Sequence, residues 1–130
     1  ELRPEHPIDF LSDPKNSPDR RMWMRFKESK SIDEKDNHLL LAYASDFSFL
    51  GVALQPHNLN TLNPRVSLAS LNHVIWFHQP THMEKWNLFC AHSCQAGSGK
   101  ALVQGSLFSR NGQLIASFAQ EGILRWRGKK

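Results

Sequence analysis

The sequence predicts an α+β domain in which an antiparallel β-sheet wraps around one long central helix. Three features favour this class. Residues 38–51 are apolar on nearly every side, which is typical of a buried helix. Residues 20–28 and most of the chain after residue 65 resemble strands with a buried face. Asn111-Gly112 stands between two apolar runs and is a strong hairpin signal. The order of one strand, one helix and then four strands favours a sheet that covers the helix.

The composition is that of an ordinary globular domain. The 130 residues, 40% apolar and 22% charged, suffice for one domain with its own core. No apolar run reaches the roughly 18 residues needed to cross a bilayer, so no membrane span is expected. The two cysteines, Cys90 and Cys94, indicate reduced thiols rather than a disulfide scaffold. A net charge of +4 permits phosphate-bearing ligands without requiring nucleic acid.

The first 19 residues are predicted to form an extended linker, because they contain four of the seven prolines. A linker at this position implies that another segment precedes it. A single domain is predicted over residues 20–130. Its first strand is expected at 20–28, where apolar residues occupy every second position.

The central helix is predicted from about residue 34 to about residue 50. Ser31 as N-cap and Glu34 three positions later fit a capping box, and Gly51 is the candidate terminator. Asp46 lies within this apolar stretch. A carboxylate on a buried helix is costly unless it is paired, hydrogen-bonded or used chemically, so Asp46 most needs an explanation.

The remaining strands place polar side chains among apolar ones. These strands are predicted at 65–78, 86–94, 100–109 and 113–126. Ser70 and Asn72 share a face with apolar residues in the first of them, and Gln120 does so in the last. If both faces cover the helix, Asp46, Ser70 and Gln120 can meet in one pocket. The carboxylate would then activate a water that the other two position, whereas the alternative for each is an ordinary hydrogen-bonded polar residue.

Two other catalytic motifs are incomplete. Ser70 lies in Leu-Ala-Ser-Leu-Asn rather than in a Gly-x-Ser-x-Gly elbow. His73, three residues further on the same predicted strand, would point to the opposite face. Gly97-Ser-Gly-Lys100 lacks the first glycine and the final Ser or Thr of a phosphate-binding loop, so a turn is predicted there.

Zinc and nucleic acid are weakly indicated. The residues that could be combined for zinc lack a second paired motif; they are His78, His82, Cys90, His92 and Cys94. The four tryptophans mostly occupy alternating strand positions, which favours packing over base stacking. We therefore expect no metal, no cofactor and no nucleic-acid partner.

Three segments of the chain resemble the acyl-CoA thioesterase II family. They are LAYASDFSFL at 41–50, ASLNHVIWFH at 69–78 and AQEG at 119–122. The resemblance extends from about Arg20 to Arg125. Members of that family are double-hotdog enzymes that hydrolyse fatty acyl-CoA thioesters. The resemblance therefore implies a hotdog fold, and it identifies this chain as the second, C-terminal hotdog, preceded by a Pro-rich linker.

The resemblance also implies a catalytic trio. By motif, the family's Asp, its Thr or Ser, and its Gln fall on Asp46, Ser70 and Gln120, which would bind and activate a water without a covalent enzyme intermediate. Two departures stand out: Asn72 replaces the usual Asp, and Gln79 replaces a frequent Arg.

The implied substrate is fatty acyl-CoA, with no cofactor, which places the protein in lipid metabolism. The acyl tunnel of the family lies partly between the two hotdogs, so pairing with an N-terminal hotdog or a homo-oligomer is expected. The alternative is a non-catalytic half that binds acyl-CoA or has a structural role, and that needs the first hotdog for activity. Relatives imply the peroxisome or the cytoplasm, although the final Gly-Lys-Lys is not the usual peroxisomal signal.

Overall fold

Seven antiparallel strands form one curved sheet in a computed structural model, which describes residues 1–5, 17–27, 32–47 and 49–127. The strand order is β1-β2-β5-β6-β7-β3, and β4 also pairs with β7. The predicted sheet around a central helix is confirmed. The strands are β1 (Leu2–Pro4), β2 (Asp19–Met24), β3 (Val66–Ser70), β4 (Val74–Phe77), β5 (Asn87–Gly97), β6 (Lys100–Ser109) and β7 (Leu114–Trp126).

The first strand lies inside the segment that the sequence predicts as a linker. β1 pairs with β2 so that Leu2 lies opposite Met24 and Pro4 opposite Met22. The proline is tolerated because it lies on an edge strand. Residues 2–4 therefore belong to the sheet. Residues 6–16 lie outside the described residues, and for them the linker stays a prediction.

The α-helix is shorter than predicted, and its cap differs. Helix α1 spans Glu34–Asp46. Its N-cap is Asp33, whose Oδ1 accepts a hydrogen bond from the Asp36 N–H at 2.8 Å. Ser31, to which the capping-box prediction gave this role, lies outside the described residues. Because Asp33 is the N-cap, that prediction is wrong about the capping residue. A carboxylate at this position also interacts favourably with the helix dipole.

A 3₁₀ helix over Leu50–His57 follows α1, and its first five residues are buried. Gly51, the predicted terminator, lies inside this second helix. A Cβ there would come within 3.2 Å of Thr61 Cγ2, so the glycine allows close packing rather than ending a helix. The apolar stretch that the sequence predicts as one helix is therefore two helices.

The segment Glu34–His57 is long and apolar enough, by length and composition alone, to cross a membrane. The length of the apolar segment therefore does not support the expectation, made from the sequence, that the chain has no membrane span. The core helices of globular domains satisfy the same criterion. Here the segment changes helix type, and its second half packs against the sheet in the core.

Helix α1 is not buried on all sides. Leu41 and Ser45 face the sheet and are fully buried. Leu39, Tyr43 and Phe47 are 59%, 73% and 71% exposed. These three are four residues apart, so they form a continuous apolar row, called the outer stripe below. The expectation of an all-round buried helix is wrong, because apolar composition does not reveal which face the domain covers.

The long strand predicted at 65–78 is broken at residues 71–73. The Leu71 and Asn72 N–H groups both donate to Glu121 O, at 2.9 and 3.4 Å, and Asn72 Oδ1 accepts from the Glu121 N–H at 3.0 Å. The break reverses which side chains face the helix. Val74 is exposed, whereas Ile75 packs against the core. The predicted shared face therefore ends at Ser70.

Both predicted turns are hairpin loops, and the strands around them lie within three residues of their predicted positions. Ser98 and Gly99 have φ of 52° and 78° and form the two-residue loop between β5 and β6. Two positive φ values are typical of a type I′ turn, which replaces the phosphate-loop alternative. Between β6 and β7, Gly112 has φ of 82° and donates its N–H to Ser109 O at 2.9 Å.

The core lies between the helices and the concave face of the sheet. Phe49, Phe89 and Phe118 contact one another, with ring centroids 5.4 to 6.2 Å apart. Each buried ring contributes roughly 1.5–3 kcal/mol. Gly105 makes this packing possible, because a Cβ there would lie 2.8 Å from Cys90 O and 2.9 Å from Phe49 Cε2. The cluster thus holds the chain after α1 against the sheet.

Candidate active site

The three residues singled out from the sequence lie together at the C-terminal end of α1. Gln120 Nε2 donates to Ser70 Oγ at 2.8 Å and to Asp46 Oδ1 in a short hydrogen bond. Ser70 Oγ donates to the same Asp46 oxygen at 3.4 Å. Residues up to 74 positions apart in the chain therefore form one hydrogen-bond network.

Strand pairing sets the distances in this network. Ser70 is the last residue of β3 and lies opposite Gly122 of β7, and Gln120 is two residues earlier on the same face. A Cβ at Gly122 would collide with Leu50 and would lie 3.0 Å from Ala69 O. The glycine therefore lets the 3₁₀ helix approach the sheet beside the network.

The burial of the trio is uneven. Gln120 is fully buried, whereas Ser70 and Asp46 are exposed. Asp46 is therefore not the buried charge that the sequence predicts. Both amide hydrogens of Gln120 are engaged, and its buried Oε1 has no partner among the described residues. Within the part of the chain that the structure describes, the hydrogen bonds to Asp46 reach only Oδ1, so Oδ2 is available to a water molecule.

This arrangement suits a general base. Two donors fix one oxygen of an exposed carboxylate, while the other can accept a hydrogen bond from water. A hydroxyl nucleophile is less well supported, because His73 bonds to Ser45 rather than to Ser70. The polar hydrogens of Ser70 and Gln120 all point into the network. None of them is free to stabilise negative charge on a reacting carbonyl.

Two residues of the site were missed by the sequence analysis. Ser45 Oγ lies 2.8 Å from His73 Nε2 and 3.1 Å from Ala42 O. Burial lowers the pKa of His73, and the negative charge of Asp46 opposes this shift. The prediction that His73 opposes Ser70 is wrong, because the strand breaks between them. Asn72, a poor strand former within the predicted strand, was the available signal.

The two departures from the family motif have visible contacts. Asn72 Oδ1 accepts from the Glu121 N–H, a role that a carboxylate would also fill. Gln79 donates its N–H to Ile115 O at 3.2 Å and lines a surface hollow of about 710 Å³. Neither this hollow nor a second one of about 500 Å³ is lined by the trio.

A metal site is not formed by the described residues. No three His, Cys, Asp or Glu side chains among them lie together as ligands. Of the residues considered for zinc, Cys90 and Cys94 are free thiols. His92 Nδ1 lies 2.8 Å from Asp19 Oδ1 instead.

The fold matches that of a solved acyl-CoA thioesterase II from Mycobacterium marinum. The TM-score is 0.82 at 31% sequence identity, over 97% of this chain and 48% of that one. This likeness confirms the predicted hotdog fold, so the chain is a hotdog domain of the thioesterase type. The sequence profile described as acyl-CoA thioesterase matches residues 10–123. The chain belongs to the acyl-CoA thioesterase family.

Three curated relatives have names that agree with this family. Acyl-CoA thioesterase 2 of Haemophilus influenzae is 39% identical over 104 residues, covering 80% of this chain and 36% of the relative. Acyl-coenzyme A thioesterase 8 of Homo sapiens is 32% identical over 126 residues, covering 96% and 39%. A peroxisomal acyl-coenzyme A thioester hydrolase of Saccharomyces cerevisiae is 35% identical over 93 residues, covering 71% and 26%. The chain thus spans well under half the length of the curated relatives it matches.

Proposed function

We propose that this chain is the hydrolytic half of an acyl-CoA thioesterase, with Asp46 as general base. The convergence of the Ser70 and Gln120 donors on one oxygen of an exposed carboxylate supports this role most directly. Asp46 Oδ2 takes a proton from a bound water as the water oxygen attacks the thioester carbonyl carbon. The carbon–sulfur bond then breaks, and the thiolate of coenzyme A accepts that proton. The products are a fatty acid and free coenzyme A.

Ser70 and Gln120 act by orientation. Their hydrogen bonds hold the Asp46 carboxylate in one rotamer, so that Oδ2 faces the incoming water. Gln120 is fixed by its own burial and by the pairing of β7 with β3 and β6. No cofactor is required by this chemistry.

The site needs a second surface. The outer stripe ends at Phe47, directly beside Asp46, and leaves large apolar side chains in water. The trio also lacks a free donor for the carbonyl oxygen. We therefore propose that an N-terminal hotdog, or a second copy of this chain, packs here and completes the acyl tunnel. The alternative, a half without activity of its own, is favoured by the same two observations.

The proposed substrate is a fatty acyl-CoA, and the proposed role is in lipid metabolism. The names of the relatives support thioester hydrolysis, and the name of the yeast relative supports the peroxisome. A cytoplasmic location is the other compartment proposed. The length of the preferred acyl chain depends on the second surface, which lies outside this domain.

The test measures thiol release from acyl-CoA by Asp46→Asn and wild type. Each is assayed alone and with the N-terminal half of a relative fused in front. Because Asn keeps the shape of Asp but cannot accept the proton, kcat should fall about 10²- to 10⁴-fold. Glu34→Gln removes an exposed carboxylate from the other end of α1 and should leave kcat unchanged. Wild-type turnover by Asp46→Asn would refute the assignment, and turnover only in the fused form would favour the dependent half.

A further inference from the structure

The hydrogen bond between Ser45 and His73 has a defined direction. The Ser45 hydroxyl has one proton, which it donates to Ala42 O at 3.1 Å. We assign the 2.8 Å bond as donation from His73 Nε2 to the Ser45 oxygen, because the opposite tautomer would place an N–H on the buried Nδ1, which has no partner among the described residues. The imidazole consequently has its proton on Nε2, and in the neutral ring Nδ1 is a lone-pair acceptor.

The ring of His73 is clamped by aromatic neighbours. It stacks on Phe118 at a centroid distance of 6.2 Å and an interplanar angle of 9°, and it meets Phe49 edge-on at 5.9 Å. Its Nδ1 is buried and has no partner among the described residues. A second N–H there would be unsatisfied, so the surroundings favour the neutral ring.

His73 joins the two segments of the chain that hold the catalytic trio. It lies in the break between β3, which ends at Ser70, and β4. Its partner, Ser45, is fully buried and directly precedes Asp46 in the last turn of α1. One hydrogen bond therefore connects the turn that bears the general base to the strand that bears its hydroxyl neighbour.

The last turn of α1 has no left-handed helix cap of its own, although Ala44 and the following Phe49 pack against the core. It contains no basic residue to interact with the helix dipole, and its C-cap, Phe47, has φ −55° and ψ −35° instead of a left-handed closing conformation. Its outer side is the exposed stripe. Besides this packing, the hydrogen bonds of Asp46, the longest of which spans 3.4 Å to Ser70, and the bond between Ser45 and His73 set the position of the carboxylate.

We propose that His73 is a positioning residue for thioester hydrolysis, which holds Asp46 against Ser70 and Gln120 through its hydrogen bond to Ser45. This inference rests on the proposed function of the same site. His73 does not touch the reacting atoms. Its removal should misplace the carboxylate while leaving the surfaces that bind acyl-CoA in place.

Three variants test this role in the fused two-hotdog form. His73→Phe keeps an aromatic ring between Phe49 and Phe118 but removes the donor. Ser45→Ala removes the acceptor and changes the side-chain volume much less. It therefore tests the role of the hydrogen bond even if His73→Phe folds poorly. Both should lower kcat about 10- to 100-fold, as displacements of order 1 Å in a catalytic group do. KM should change less than about threefold, because an interaction that acts in the transition state is lost.

A rescue and a matched control separate positioning from general damage. His73→Gln returns an amide N–H at a similar reach, so most of the lost kcat should return. The double variant Ser45→Ala/His73→Phe should be no slower than either single variant, since both break one hydrogen bond. His78→Phe is the control. It breaks a comparable bond, between His78 Nε2 and Ser117 Oγ at 2.9 Å, away from the trio, and should leave kcat unchanged.

The outcomes are distinguishable. Full kcat in both His73→Phe and Ser45→Ala, with Asp46→Asn inactive, would overturn the positioning role and leave the proposed function standing. A raised KM at unchanged kcat would also overturn it, in favour of substrate binding. An equal loss in His78→Phe would show a structural effect instead. Failure of the wild type to hydrolyse any acyl-CoA would refute the proposed function itself and, with it, a role of His73 in hydrolysis.

Discussion

Two buried carboxamides in this domain should differ in how much stability is lost when their polar groups are removed. Asn37 Nδ2 donates to Ile32 O and Asp33 O at 2.9 and 3.0 Å, and its Oδ1 accepts from the Met83 N–H at 2.6 Å. Every polar atom of this side chain is thus satisfied. Gln120 is equally buried, yet its Oε1 has no partner among the described residues. The first arrangement stabilises the fold, and the second holds the trio together at a cost in stability.

The expected free energies follow from these contacts. Asn37→Leu loses three hydrogen bonds and leaves the buried Met83 N–H unsatisfied, so unfolding should become easier by roughly 2–4 kcal/mol. Gln120→Met loses a bond to a charged oxygen, roughly 1.5–3 kcal/mol, and a neutral one, roughly 1 kcal/mol. It also removes the unsatisfied Oε1, which costs roughly 1–3 kcal/mol while it is present. The net destabilisation at Gln120 should therefore lie between roughly −0.5 and 3 kcal/mol, centred on about 1 kcal/mol.

Thermal unfolding followed by circular dichroism, together with thiol release in the fused form, measures both effects. Asn37→Leu should lower the melting temperature by roughly 8–15 °C. Where it is folded, it should keep kcat within about threefold of wild type. Gln120→Met should lower the melting temperature by roughly 5 °C, less than Asn37→Leu does, and should lower kcat at least about 100-fold. The reasoning is refuted if Gln120→Met is the less stable of the two, or if it retains turnover.

Three further predictions concern stability in the chain itself. Gly122→Ala should lower the free energy of unfolding in urea by roughly 1–3 kcal/mol, because the new Cβ collides with Leu50. Gly97→Ala is the control and should not lower it, because its Cβ meets only a flexible side chain at 3.4 Å. Burial lowers the folded-state pKa of His73 below 6.5, so the unfolded chain binds more protons than the folded chain just below that pH. The free energy of unfolding should therefore decrease as the pH falls from about 6.5. Thermal melts at several pH values should show this decrease in the wild type and not in His73→Gln. Asp33→Ala should lower stability by roughly 1 kcal/mol in urea unfolding through loss of the N-cap, and an unchanged midpoint would contradict that assignment.

The sheet was predictable because its signals are local. The turn residues at Ser98-Gly99 and Asn111-Gly112 fix where β5, β6 and β7 begin and end, and the alternation within each strand fixes its faces. Side-chain parity together with the family motif also singled out the three members of the trio. Parity succeeded for Gln120 because β7 is unbroken across that position, so its neighbours on one face are the buried ones.

The errors arose where tertiary contacts override local pattern. Nothing in residues 65–78 alone shows that Glu121 of another strand binds the backbone of Leu71 and Asn72. That interaction breaks the strand and turns His73 toward Ser45. Likewise, the 3₁₀ helix that follows α1 packs Leu50 over Gly122, a contact between residues 72 positions apart. Periodicity assumes one uninterrupted element and cannot register such contacts.

The position of the network at the boundary of the domain explains why one carboxamide is buried while its carboxylate partner is exposed. Gln120 belongs to the sheet and is covered by the helices of this chain, but Asp46 ends a helix whose other face is the outer stripe. If a second apolar surface covers Tyr43 and Phe47, it also removes water from the side of Asp46. The hydrogen bonds from Ser70 and Gln120 to Asp46 are then stronger, because they act in a lower dielectric. The same packing would bring the donor that the trio lacks. Association with the second hotdog and catalysis would thus depend on one surface, so Tyr43→Lys should impair both together.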